Sequence, residues 1–158
     1  MATKKRKGVR RSKASANDAE LILNLYDLRR EEELRQARAF MAQGFWPGSL
    51  QDAMGVVNAA GTDENRYFRQ ALTYWDMAAS LVAHRALSPD LFFASSGEMY
   101  LFYAKLKPYL EGIRKETGNS HYLEYMEEVC EGSAAGRERI ARFEKRIATM
   151  LKMRRASK

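Results

Sequence analysis

Chemistry at neutral pH needs titratable or nucleophilic groups at workable spacing, and this chain has few. Its two histidines are His84 and His121, and its one cysteine is Cys130. A helical bundle can carry a di-metal site when Glu-x-x-His pairs project from two helices. Here only His121-x-x-Glu124 comes near, in reversed order, and His84 has no acid at ligand spacing. No metal site is therefore expected, and both histidines read as surface residues. Cys130 lies among Glu127, Glu128 and Glu131. Acids raise a thiol pKa, so it reads as an inert filler. Phosphate loops, dinucleotide fingerprints and the Gly-x-Ser-x-Gly elbow are all missing from the sequence. No cofactor and no catalytic residue is expected.

The sharper oddity is a run of charge inside the first helical stretch. Following Leu21, Leu25 and Leu28 by helical steps lands on Glu32 and then Gln36, and Asp27 with Arg29 to Glu33 form a nearly unbroken charged run. A solvated face laced by i,i+4 pairs, Arg29 with Glu33 and Glu31 with Arg35, accounts for it. The competing account is a partly buried network in which Glu32 meets Arg69 and Asp76 of the third helix. That would build a carboxylate and arginine pocket, the basis of an enzyme or small-ligand alternative.

Charge is the strongest signal. The total is +7, but residues 1–16 carry seven cations and no acid (Lys4, Lys5, Arg6, Lys7, Arg10, Arg11 and Lys13). Residues 137–158 carry nine cations against Glu138 and Glu144, among them Arg139, Arg142, Lys145 and Arg146. Residues 17–136 are left at −7. Basic ends on an acidic body point to polyanion contacts that are independent of base sequence. The plainer account is a pair of solubilising tails. An amphipathic cationic helix can also lie on anionic lipid, but this one lacks tryptophan and its apolar line is needed for the core.

These groups must be positioned by helices. At 46% hydrophobic and 30% charged, 158 residues suffice for one domain with a sizeable core. A lone cysteine excludes a disulfide scaffold. No window is apolar enough to span a membrane, and the basic start lacks the apolar core of a secretory signal, so a reducing cytoplasm is expected. Periodicity is helical throughout, and the reading is an all-α single-domain bundle of about six or seven helices. Residues 1–16 form a disordered basic arm, 17–136 an acidic body and 137–158 a basic amphipathic helix.

The first helix is expected to start at Asn17, boxed with Glu20, and to run to about Gln43 with Gly44 as a left-handed stop. Ser49 and Thr62 cap the next two. The third, roughly 63–86, carries two adjacent apolar rows and should be central. Ser88-Pro89 starts a fourth, with breaks near Gly97 and Pro108, and a stop near Gly118. Asn119-Ser120 should cap the following piece. Helices two and three flank Gly61 loosely like a helix-turn-helix, but the third is too apolar for a groove and opens with Asp63 and Glu64.

The words Asp27-Leu28-Arg29-Arg30-Glu31, Tyr67-Phe68-Arg69 and Tyr74-Trp75-Asp76-Met77-Ala78-Ala79-Ser80-Leu81 resemble an uncharacterised family of small bacterial helical proteins, a domain of unknown function. The resemblance covers roughly residues 17–130 and implies a bacterial, cytoplasmic setting and no activity. The expectation is an interaction or regulatory protein contacting nucleic acid through its basic ends. Phe92, Phe93, Met99, Tyr100, Phe102 and Tyr103 exceed what one side of a helix buries, so a homodimer competes with a well-covered core as their account.

Overall fold

The computed structural model describes residues 13–157, and those residues are helical with no strand. In chain order they form α1 (Ala16–Leu28), α2 (Glu32–Ala39), a π-helical turn (Phe40–Gly44), α3 (Leu50–Val57) and α4 (Asp63–Ala83). Then come α5 (Pro89–Ser95), α6 (Gly97–Leu106), a 3-10 turn (Lys107–Tyr109), α7 (Leu110–Thr117), α8 (Glu124–Glu131) and α9 (Ala134–Ala156). The expected disordered arm lies, up to residue 12, outside the described residues.

α4 is central because both of its apolar rows are used. Phe68, Leu72, Trp75, Ala79 and Val82 are buried together with Ala71, Tyr74 and Ala78. α2 packs on one flank of α4 and α8 on the other, while α6 packs against α9. Phe92, Met99, Tyr100, Phe102 and Tyr103 are buried within the one chain, and Phe93 is half-buried against the same core.

The first helix does not run unbroken to Gln43. It starts two residues earlier, with Ser15 rather than Asn17 as its cap and Asp18 completing the capping box. It then ends at Leu28, and Glu31 caps a new helix by accepting from the Leu34 amide at 3.0 Å. The reason is phase. A continuous helix would carry the leucine line onto Glu32, whereas the break turns Leu34, Ala37 and Met41 into the core. Gly44 also departs from expectation, since positive φ occurs at Gly61 and Gly118 but not there. It closes a π turn in which the Phe45 amide donates to Phe40 O at 2.9 Å. Its missing side chain is a matter of crowding: a Cβ would stand 2.9 Å from the Phe40 ring.

Two other boundaries move. α4 stops at Ala83 because Arg85 takes φ 60, and α8 starts at Glu124 because Leu123 takes φ 56. The expected caps Ser49, Thr62 and Ser88 each accept an amide of their helix.

Candidate functional site

Glu32, Arg69 and Asp76 stand in three separate places. Glu32 opens α2 and is exposed. Arg69 is exposed on α4 beside Arg66, Gln70 and Thr73. Arg66, not Arg69, holds the acids there, with Glu33 at 2.7 Å and Asp63 at 2.9 Å. Among the described residues no ion pair joins Glu32, Arg69 and Asp76. The cleft between α1, α2 and α4 has one carboxylate on its wall, Glu31, already committed to capping.

Asp76 does a different job. Its Oδ1 accepts from the Met126 amide at 2.9 Å, at the start of α8, where the N-cap Leu123 has no side-chain bond to offer. A residue of α4 thus caps a helix fifty positions away. Burial raises its pKa, and the Met126 and Tyr125 amides oppose that rise.

The histidines and the cysteine lie apart. His84 Nδ1 is 2.8 Å from Ser80 O, and His121 Nδ1 is 2.6 Å from Glu124. Cys130 is buried, which pushes its thiol pKa upward. Among the described residues no group of His, Cys, Asp and Glu is placed to hold a metal ion.

Lys105 was missed by sequence reasoning. It is 2% exposed, and its Nζ donates to the carbonyls of Met41 (2.6 Å), Phe45 (2.9 Å) and Ala42 (3.0 Å). The ammonium also sits 3.6 Å from the Trp46 ring centroid. It therefore ties off the free carbonyls around the π turn, where the dipole favours a cation. Burial pulls its pKa down to about 7, and the Arg154 charge adds to that. The signal was available: Gly97–Leu106 is apolar on nearly every face, so its lysine had no wet side to occupy.

α9 carries the densest unpaired charge among the described residues. Ile140 is buried, and Phe143 and Ile147 pack on the core. Arg142, Lys145, Arg146, Lys152, Arg154 and Arg155 are exposed. None of them is in an ion pair among the described residues; the α9 side chain that is so engaged is Glu144, with Lys107. Arg139 is different: half-buried, it donates to Phe93 O at 2.7 Å and its guanidinium stacks 3.5 Å from the Phe93 centroid. Arg139, Arg142, Arg146, Phe143 and Gly97 line a cavity of about 250 Å³. Lys13 is exposed just before α1, whereas Lys4, Lys5, Arg6, Lys7, Arg10 and Arg11 lie outside the described residues.

No helix among the described residues is long and apolar enough to cross a membrane. Comparison with curated proteins and with solved structures gives no significant match. The model of one family does match, over residues 14–133, and it is described as a domain of unknown function, DUF4760. The match covers most of the chain, which belongs to that family. It stops just short of α9.

Proposed function

We propose, for a member of a family with no assigned activity, that this chain is a non-enzymatic interaction protein that contacts nucleic acid through its basic ends, without reading base sequence. One observation carries the reading: the exposed cations of α9 have no acid partners among the described residues, on a helix whose other side is anchored in the core. Leaving six unpaired along one helix builds a field that draws phosphate and releases its counterions on contact. Lys4 to Lys13 add to the same charge, while residues 17–136 at −7 repel phosphate.

Nucleic acid is favoured over lipid because Ile140, Phe143 and Ile147 are packed on the body, which leaves Met150 and Met153 as the exposed large apolar side chains of α9 and no aromatic anchor among them. A reducing bacterial cytoplasm belongs to the same proposal and fits the single buried thiol. The test is fluorescence anisotropy of the full chain with two duplexes of unrelated sequence, at low salt. Equal micromolar or tighter affinity for both is expected, with weaker binding to anionic vesicles. Undetectable binding to duplex DNA and RNA would reduce the ends to solubilising tails.

A further inference from the structure

We propose that the cavity between the start of α6 and the middle of α9 is a socket for a phosphomonoester dianion. It deepens the polyanion reading in sharing α9, and names a second, specific use of three of its arginines. Arg139, Arg142 and Arg146 are spaced by three and four, which puts them on one stripe of the helix. Together with Phe143 and Gly97 they line one open cleft of about 250 Å³, which gathers three positive charges at a single place on the surface. Arg139 is fixed beforehand by the Phe93 carbonyl and by the faces of Phe93 and Tyr100. Three planar guanidinium forks match the three free oxygens and double charge of a terminal phosphate better than the singly charged diester of a strand.

The opposite wall is Gly97, the first residue of α6. α6 has no side-chain cap; the Met99 amide donates to Ser96 O at 3.1 Å, which leaves the Gly97 and Glu98 amides to meet an anion at the start of this ten-residue helix. Ser96, next to Gly97, is fully buried and its hydroxyl has no partner among the described residues. A Cβ on Gly97 would meet nothing within 4 Å, which leaves that wall open. The acid of that first turn, Glu98, is held by Arg38 at 2.7 Å. Burial lowers the Arg139 pKa, and the like charge of Arg142 adds to that. An anion in the cavity relieves that repulsion.

The test uses the full chain and follows the Gly97 amide and the arginine Nε resonances by NMR during titration with inorganic phosphate, with sulfate and chloride as comparisons. Phosphate at pH 8 should bind more tightly than at pH 5.5, because the dianion predominates at the higher pH and the monoanion at the lower. Arg142→Gln and Arg146→Gln should each weaken it about tenfold, as loss of a charged hydrogen bond does. Both positions are exposed, so the variants should keep the wild-type melting temperature, and Lys115→Gln on α7 should bind as wild type does. An oligonucleotide with a 5′-phosphate binding more tightly than its 5′-hydroxyl twin would give nucleic-acid ends as the source. Equal affinity for free phosphate and a nucleoside monophosphate would give small molecules. Phosphate binding no tighter than chloride, or untouched by both arginine variants, overturns the socket. Duplex binding that persists in that case leaves the polyanion reading standing, and phosphate binding without duplex binding does the reverse.

Discussion

A lysine without water around it must be held by something, and at Lys105 three carbonyls and an indole face do the holding. Lys105→Met keeps the packing and removes the donor, leaving those carbonyls unpaired. It should cost about 2–4 kcal/mol, read from urea midpoints at pH 6 and 7. The pH dependence has a definite sign. Unfolded, the amine titrates near 10.5, and folded near 7. Between these values the unfolded state binds more protons, so this residue makes stability rise with pH from about 7. Burial raises the Cys130 and tyrosine pKa values, which turns the curve down above about 9. The clean window is pH 7–8.5: wild type should gain stability there relative to Lys105→Met, and parallel curves would remove the assignment. A lone charge in an apolar helix was visible in the sequence. Its partners, some sixty residues earlier, were not.

Among elements, the caps divide what could be read from what could not. Ser49, Thr62 and Ser88 were legible because a cap acts over three residues of its own helix. The cap of α8 comes from Asp76 on α4, so local grammar pointed to Asn119-Ser120 instead. Asp76→Ala should lower stability by about 1–2 kcal/mol, whereas Asp76→Asn, which keeps an acceptor at the same place, should cost well under half of that. Equal losses for the two would mean that the charge matters and not the acceptor. The first helix shows the other limit. Its charged run at residues 29–33 marked a conflict of phase, and the chain resolves that conflict by breaking and restarting at Glu31.

Over the whole molecule, the all-helical class, the central helix and the polarity of the ends could be read from periodicity and charge, which survive averaging over a chain. The arginine cavity could not, because it needs α6 and α9 to meet across forty residues. The family match ends at residue 133 and α9 begins at Ala134, so the match does not extend over the cationic helix. It is still structural: truncation after Gly136 removes Ile140, Phe143 and Ile147 and should cost at least about 3 kcal/mol in thermal or urea unfolding. The central claim is that phosphate is bound by the charge of the ends. Duplex affinity measured by anisotropy from about 50 to 200 mM salt tests it most directly. If about six cations engage phosphates, log affinity falls against log salt with a slope near −5, and Lys145→Gln with Lys152→Gln flattens it by roughly 1 for each. A slope near zero, or one that neither those substitutions nor removal of residues 1–12 changes, would contradict it.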